Sequence, residues 1–425
     1  MMRDNNSFIQ HLEEHSSLQA QEAPQGWHPL SWQRFYDKMT QLYSSNDLAQ
    51  VMQELSQADP LVAEDDILSL KRELADVYEG KKLYFQAGDC VELFKDANHV
   101  SFQSRLLFLN SICRYIEKSH GHDVVAIGRL AGQFAKPRSA ETEEVNEITM
   151  HTFMGEMIND FAPNVWARKP QANRMLWAYN AARFGMESIQ YLLANGINNQ
   201  PIQPVFTSHE GLHLHYESSQ TGYGIEKKGY FNFSSHMQWI GMRSLHEDSP
   251  HLEYFKGIEN PIGVKIGPSV TPKDLQQMCQ RLNTRNEAGK LVLITRFGAS
   301  QVQEKLPSIV QAVQDIGAKV IWICDPMHAN TVKNLHGVKT RCISDMKEEI
   351  VQTAQVHHEA GTRFCGLHLE TSPDDIQECA NHPNEVDWIK EGPAYQTYCD
   401  PRLNYEQTLN VVGAFLRQLQ GVDKR

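Results

Sequence analysis

The chain has 425 residues, of which 41% are hydrophobic and 22% are charged, and its formal net charge is −12. With this acidic balance and no basic block, we expect no nucleic-acid partner. No run of about 18 apolar residues occurs, so we expect no membrane span either. The eight cysteines are scattered without a CxxC pair, and the N-terminus lacks the apolar core of a signal peptide. Both features predict free thiols in a cytoplasmic protein.

The N-terminal part of the chain has helical periodicity. Apolar residues recur at three- and four-residue steps at Leu48, Met52 and Leu55, and a second such series includes Ile67 and Leu70. We therefore predict a helical extension over residues 1–80, followed by a different architecture from residue 81 onwards.

From residue 82 the pattern changes, because short apolar strands alternate with longer helical segments, as in a parallel α/β sheet. Eight is the number of strands that a (β/α)8 barrel needs. We therefore predict an α/β fold, a (β/α)8 TIM barrel over residues 81–425. The eight candidate strands are 82–89, 123–132, 204–211, 236–241, 261–268, 291–298, 319–326 and 364–371.

The clearest helix of the barrel region is predicted over residues 173–195, where apolar residues from Met175 to Leu193 recur at steps of four and three. Gly196 follows as a residue suited to the helix C-terminus. The segment 212–235, rich in Gly, Tyr and His, is expected to hold little helix.

Reactive side chains collect where the predicted strands end, and His328, after the buried run VIWICDP, is the clearest example. Each residue alone has an ordinary explanation in solvent exposure or core packing. In a parallel barrel, however, all these ends lie on one rim, where catalytic residues are found, so we favour a shared site. The residues are Cys90, Arg129, 136–139, His209, Glu210, Arg243, Lys265, Arg296, His328, His368, Glu370 and Asp400.

One chemical subset of these residues could hold a metal ion. Cys90, His328, Glu370 and Asp400 offer a thiolate, an imidazole and two carboxylates. Such ligands suit a borderline divalent ion, and Mn²⁺, Co²⁺, Fe²⁺ and Zn²⁺ all remain possible on this basis.

A second subset is cationic and predicts a binding site for anions. Arginine suits bidentate phosphate and carboxylate contacts, whereas lysine acts as a point charge. The set holds more positive charges than one phosphate needs, so we expect two phosphorylated or carboxylated substrates. A metal beside two anions suggests that the metal polarises a carbonyl group. The members of the cationic subset are Arg129, Lys136, Arg138, Arg243, Lys265, Arg296, Lys339 and Arg341.

Several long motifs then identify a family resemblance from about residue 27 to the C-terminus. They are QAGDCVELF, RLAGQFAKPRS, FTSHEGLHLHYE, WIGMRS, GVKIGP, ITRFG, CDPMHANT, VKTR, LHLETS and CDPRLN. In this order they resemble the type II 3-deoxy-D-arabino-heptulosonate 7-phosphate (DAHP) synthases. The resemblance implies a metal-dependent barrel that condenses phosphoenolpyruvate with erythrose 4-phosphate, the first step of the shikimate pathway. It also implies a homodimer or homotetramer.

The resemblance assigns roles to the matching residues. The metal ligands are expected to be Cys90, His328, Glu370 and Asp400, holding one divalent ion per chain, with Mn²⁺ or Co²⁺ favoured. Catalytic roles are expected for Lys265, Arg243 and His328. Phosphoenolpyruvate would contact Arg129, Lys265 and Arg296, with Arg243 near both substrates. Erythrose 4-phosphate would contact Lys136, Pro137, Arg138 and Ser139, with Lys339 as a further cation at the site.

The sequence also departs from the family pattern. Met242 stands in GMR where the family usually has GER, Ala87 and Ala329 each replace a usual glycine, and the loop 371–383 lacks a usual Gly-Gly. These changes leave two alternatives open. One is the same chemistry on a modified aldose phosphate, such as an amino-erythrose phosphate. The other is a catalytically silent barrel that acts through a partner.

A deletion bears on regulation. Few residues separate the helix ending near Asn195 from the strand starting near Pro204, whereas longer members insert a helical pair there that forms aromatic amino-acid sites. We therefore expect an enzyme that Trp, Tyr and Phe do not inhibit. Short members of this kind resemble synthases of specialised pathways, such as those of phenazine-type antibiotics.

Overall fold

The computed structural model describes residues 26–138, 140–145, 147–197 and 200–422. Its centre is a closed barrel of eight parallel strands in sequential order, with β1 hydrogen-bonded to both β2 and β8. Each predicted strand is confirmed within a few residues. The strands are β1 Lys82–Gly88, β2 Asp123–Arg129, β3 Val205–Glu210, β4 Met237–Ile240, β5 Ile262–Ile266, β6 Leu291–Thr295, β7 Ile321–Cys324 and β8 Phe364–Glu370.

The strands form where the sequence is apolar and β-branched, and β5, β6 and β7 are buried at every residue. Such continuous burial is what a parallel strand covered by helices on one face and by the barrel core on the other requires. The helices are α1 Ser45–Ser56, α2 Glu64–Tyr78, α3 His99–His120, α4 Arg174–Asn195, α5 Leu214–Ser219, α6 Pro250–Phe255, α7 Pro272–Leu282, α8 Val302–Asp315, α9 Ile343–Glu359 and α10 Tyr405–Val422.

Contacts across the barrel show which side chains point inward. The amide of Gln86 on β1 donates to Ser208 Oγ on β3 at 2.7 Å, and its carbonyl oxygen lies 2.7 Å from Nδ1 of His368 on β8. Since side chains alternate along a strand, residues two positions further on also point inward. Glu210 and Glu370 therefore project into the carboxyl-terminal mouth of the barrel.

Helix α2 closes the opposite end of the barrel. Its Leu70, Leu74 and Val77 join one apolar cluster with interior residues such as Tyr84 and Ile294. Helix α1 packs against α4 and α5. The helices expected in the N-terminal region are present, and the division of the chain at residue 80 remains a prediction. By its packing, α2 forms the base of the barrel.

Two other expectations about local structure are confirmed. Helix α4 ends at Asn195, and Gly196 follows with a φ of 71°. The segment 212–235 holds only the short helix α5 and a hairpin of Thr221–Tyr223 with Tyr230–Asn232. Within the part of the chain that the structure describes, no helix combines the length and apolarity of a membrane span.

Candidate active site

The barrel brings the four candidate metal ligands together at its mouth. Cys90 follows β1, Glu370 ends β8, and Asp400 precedes α10; Cys90 Sγ lies 4.0 Å from Asp400 Oδ2. His328 Nε2 lies 3.2 Å from Glu370 Oε1. Ligand atoms of His328, Glu370 and Asp400 all lie within 4.8 Å of one another, and those of Cys90, Cys399 and Asp400 do likewise. Residues more than 300 positions apart thus meet at one point.

Asp325 fixes which nitrogen of His328 faces this point. Its Oδ2 lies 2.7 Å from His328 Nδ1, so Nδ1 is engaged and Nε2 is directed at Glu370. Burial alone would raise the pKa of Asp325, but His328 and Lys265 hold it well below its ordinary value. A carboxylate on the outer nitrogen of a histidine is the usual arrangement around a protein-bound metal.

The donor set fits a borderline divalent ion. It combines one sulfur, one nitrogen and two carboxylates, with the histidine already oriented. Burial raises the pKa of the Cys90 thiol, with Lys136 acting in the opposite direction. A coordinated cation would convert such a thiol to the thiolate.

Cys399 is a neighbour of this set that the sequence did not assign. Its Sγ lies 3.8 Å from Asp400 Oδ2 and accepts a hydrogen bond of 3.2 Å from Arg138. Its position immediately before Asp400 was the available signal, but proximity in sequence did not show the orientation of its side chain.

Cations surround the two carboxylates. Glu370 Oε1 accepts from Arg129 at 3.0 Å and from Lys136 at 2.8 Å. Asp400 pairs with Lys136 at 3.4 Å and with Lys339 at 2.9 Å. Burial would raise the pKa values of Glu370 and Asp400, but the neighbouring positive charges hold both well below their ordinary values. Both carboxylates are therefore ionised at neutral pH.

Arg341 is a further cation that contacts Glu370. It belongs to a hairpin strand, Lys339–Arg341, and is fully buried. Its Nη1 donates to Glu370 Oε2 at 2.9 Å and to the carbonyl of Pro401. The sequence analysis counted Arg341 among the cations without assigning it a role. The structure shows that it joins the two segments that carry the candidate ligands Glu370 and Asp400.

Lys265 and Arg296 project from β5 and from the end of β6. Lys265 Nζ donates to Asp325 Oδ2 at 2.8 Å, and burial lowers its pKa, with Asp325 opposing the shift. Arg296 Nη1 lies 2.9 Å from the sulfur of Met242. Lys265 is thus an amine that can exchange a proton more readily than a solvent-exposed lysine.

The KPRS loop borders the same mouth. Lys136 is buried, and Arg243 donates to the carbonyl of Pro137 at 3.1 Å. Arg138 is partly buried, and Ser139 lies outside the described residues. The structure places Arg243 beside this loop, with the residue exposed to solvent, and its role towards the substrates remains a prediction.

Glu210 is the inward-facing carboxylate of β3. It is 8% exposed, and a side chain at Gly241 would collide with its Oε1. Within the residues that the structure describes, no hydrogen bond or ion pair to its carboxylate is recorded. The residue is nearly buried but its carboxylate oxygens are not fully enclosed, so they are open to a ligand or water at the mouth.

Glu349 on α9 links two loops of the mouth. Its Oε1 accepts from the backbone N–H groups of Phe297 and Gly298 at 2.8 and 2.9 Å, and its Oε2 accepts from Asn330 at 2.7 Å. Burial raises the pKa of Glu349 to about 7 against the effect of these donors. This residue, which the sequence analysis did not single out, connects the loop after Arg296 with the turn after His328.

Comparison with known proteins supports the resemblance seen in the motifs. The chain matches the Class-II DAHP synthetase family over residues 27–201 and 188–416. It is 34% identical to a phospho-2-dehydro-3-deoxyheptonate aldolase of Neurospora crassa, over 92% of this chain and 93% of that protein. It is 36% identical to a probable phospho-2-dehydro-3-deoxyheptonate aldolase of Pseudomonas fluorescens, over 84% of this chain and 88% of that one.

Among solved structures, the chain is similar in fold to the phospho-2-dehydro-3-deoxyheptonate aldolase of Francisella tularensis. The TM-score is 0.53 at 14% identity, covering 88% of this chain and 97% of that one. At this identity the likeness concerns the barrel fold alone. The family match and the two sequence relatives carry the assignment, and the chain belongs to the class II DAHP synthetase family.

Proposed function

We propose that this chain is a transferase, a 3-deoxy-7-phosphoheptulonate synthase, that condenses phosphoenolpyruvate with erythrose 4-phosphate and water to DAHP and phosphate. The observation that carries the proposal is the convergence of Cys90, His328, Glu370 and Asp400 with a ring of cations at one barrel mouth. Family membership supplies the reaction, and the names of the relatives agree with it.

A divalent ion held by Cys90, His328, Glu370 and Asp400 would act as a Lewis acid towards the aldehyde of erythrose 4-phosphate. Mn²⁺ and Co²⁺ are favoured, and Fe²⁺ and Zn²⁺ also suit the donors. The protein's own task is then to hold two anionic substrates in reacting geometry, which can lower the barrier by several kcal/mol.

The cations divide between the substrates in this proposal. Arg129, Lys265 and Arg296 bind phosphoenolpyruvate, and Arg243 lies near both substrates. The loop 136–139 and Lys339 bind the phosphate end of erythrose 4-phosphate. Phosphoenolpyruvate C3 attacks the aldehyde carbon, water adds to C2, and the C–O bond to phosphate breaks. The lowered pKa of Lys265 suits it to move the protons of these steps.

The test is phosphate release by metal-loaded protein. We expect release only when both substrates are present, and we expect EDTA to abolish it and added metal to restore it. Release with phosphoenolpyruvate alone, or activity that EDTA leaves intact, would contradict the proposal. Omitting each substrate in turn is the control within the same experiment.

A second candidate is the same condensation with a modified aldose phosphate, such as an amino-erythrose phosphate. Met242 supports this candidate, because its thioether contacts Arg296 at the barrel mouth, at a position where the family usually has a carboxylate. Comparing kcat/KM for the two aldehydes decides between them. A higher value for erythrose 4-phosphate would exclude the amino sugar as the better substrate.

We also infer that aromatic amino acids do not inhibit this enzyme. Helix α4 ends at Asn195 and β3 begins at Val205, so the connection is too short for an inserted helical pair. We expect the rate of phosphate release to stay unchanged when Trp, Tyr or Phe is added at up to millimolar concentration. Inhibition by any of them at sub-millimolar concentration would refute this inference.

A further inference from the structure

Glu92 is a buried carboxylate two residues after the candidate ligand Cys90, and it is 1% exposed. Its two oxygens accept hydrogen bonds of 2.9 to 3.1 Å from three consecutive backbone N–H groups. The backbone N–H of Glu92 donates in turn to the carbonyl of Gln133 at 2.8 Å. The three donors are Ala131, Gly132 and Gln133. Glu92 therefore binds the loop 130–135, which follows β2.

This loop has a backbone conformation that is unfavourable without support. Ala131 has a φ of 57°, in the left-handed region that residues with a Cβ atom rarely adopt. The loop is also buried, so its consecutive N–H groups need an acceptor, and an anion suits them best. The carboxylate of Glu92 is that acceptor. Its hydrogen bonds thus offset the unfavourable conformation at Ala131.

The far end of the same loop carries a cation of the barrel mouth. Within the loop, Gln133 Nε2 donates to the carbonyl of Ala135 at 3.0 Å. The next residue is Lys136, whose Nζ donates to Glu370 Oε1 at 2.8 Å. The position of this ammonium group therefore depends on the loop that Glu92 holds.

We propose that Glu92 is a positioning residue, which holds the loop 130–135 so that Lys136 meets the phosphate of the aldose phosphate. In this proposal Glu92 contacts neither substrate and acts through the backbone of the loop. The inference rests on the proposed function, because that function assigns Lys136 to the phosphate of erythrose 4-phosphate.

The experiment titrates metal-loaded wild type, Glu92→Gln and Glu92→Asp with inorganic phosphate in a calorimeter. The amide of Glu92→Gln has one acceptor oxygen in place of two, and the side chain of Glu92→Asp is shorter by one carbon. Hydrogen bonds to a charged group are strong, so we expect each change to raise Kd about 10-fold. Loss of a negative charge alone would strengthen anion binding, so weaker binding by Glu92→Gln reports the position of the loop. Glu92→Asp carries the test if Glu92→Gln does not fold.

Ala131→Gly provides a rescue that distinguishes positioning from general stability. Glycine adopts a positive φ without steric cost, so the loop then depends less on its hydrogen bonds. We expect Ala131→Gly in the Glu92→Gln background to return Kd to within about threefold of the wild type. A barrel that was merely destabilised would not gain from this change, because it removes a buried methyl group.

Glu64 offers a matched control at the other end of the barrel. It also accepts hydrogen bonds from three consecutive backbone N–H groups, those of Ile225, Glu226 and Lys227. Lys227 pairs with Glu259, which precedes β5. Glu64→Gln therefore removes an equivalent set of hydrogen bonds away from the mouth, and we expect it to leave Kd for phosphate unchanged.

Three results would overturn the inference. They are an unchanged Kd in both Glu92 variants, a loss that Ala131→Gly does not reverse, and an equal loss in Glu64→Gln. A double-mutant cycle with Lys136→Met then locates the effect, since Glu92→Gln should weaken binding little further in that background. Equal losses in the two backgrounds would exclude Lys136 as the group that Glu92 positions.

This test separates the inference from the proposed function. Binding of inorganic phosphate requires no aldehyde and no turnover. A wild type that binds phosphate but releases none from phosphoenolpyruvate and erythrose 4-phosphate would defeat the proposed reaction, while the ranking of the Glu92 variants would still decide the inference.

Discussion

Asp325 Oδ2 lies 2.7 Å from Nδ1 of His328 and also accepts from Lys265 Nζ at 2.8 Å. One fully buried carboxylate therefore orients a candidate metal ligand and neutralises a candidate proton donor. Neither role was visible in the sequence, where Asp325 reads as the residue that ends a strand.

Asp325→Asn tests the orienting role. The amide of the variant can still hydrogen-bond to His328 Nδ1, but it carries no negative charge. Since that charge makes the His328 imidazole a stronger ligand, we expect metal affinity to fall about 10- to 100-fold. Titration of metal-free protein with Mn²⁺ or Co²⁺ measures this. Asp315→Asn, at an exposed residue at the end of α8, is the matched control. Equal affinities in the two variants would remove Asp325 from the metal site.

Arg341→Met tests the support beneath the carboxylate of Glu370. Arg129 and Lys136 still pair with Oε1 of Glu370 in this variant, but Oε2 and the carbonyl of Pro401 lose their buried donor. We therefore expect the free energy of unfolding to fall by about 1–3 kcal/mol. Urea unfolding followed by circular dichroism measures the loss. Arg183→Met, on the exposed face of α4, should change stability by less than about 0.5 kcal/mol. A loss as small as that of Arg183→Met would mean that Arg129 and Lys136 hold Glu370 without help from Arg341.

Glu210→Gln tests the unpartnered carboxylate of β3. If this group moves a proton to or from the attacking water, kcat should fall about 10²- to 10⁴-fold, with Kd for phosphoenolpyruvate nearly unchanged. Steady-state kinetics and binding calorimetry on the same preparation separate the two quantities. Glu187→Gln, on the exposed face of α4, serves as the control. An unchanged kcat would limit Glu210 to shaping the mouth.

Glu349 predicts a pH dependence of stability. Burial raises its pKa from the ordinary 4.5 to about 7, so the folded protein binds this proton more tightly than the unfolded chain. Stability should therefore decrease as pH rises from about 4.5 to about 7 and level off above that range. Over that interval the loss should be at most about 3 kcal/mol.

The comparison with Glu349→Gln isolates this contribution. We expect the difference in unfolding free energy between wild type and Glu349→Gln to favour the wild type more at pH 5 than at pH 8. Chemical unfolding at both pH values measures it. A difference that does not change with pH would show that the hydrogen bonds from Phe297, Gly298 and Asn330 offset the burial of the carboxylate.

The eight strands, helix α4 and its end at Gly196 were readable in the sequence, because burial on both faces and the helical period impose local patterns on it. Those patterns also place Cys90 and His328 just past the ends of strands and Glu370 at the end of one. Once a closed parallel barrel is assumed, they predict a shared site.

The tertiary structure alone decided which charges meet. Arg296 faces the sulfur of Met242, the carboxylate of Glu210 has no hydrogen-bond or ion-pair partner among the described residues, and Glu349 joins two loops. Each of these relationships depends on segments that lie far apart in the chain. Local patterns report burial and periodicity, whereas an electrostatic partner is set by distances of a few ångströms between elements. Those distances exist only after the barrel has closed.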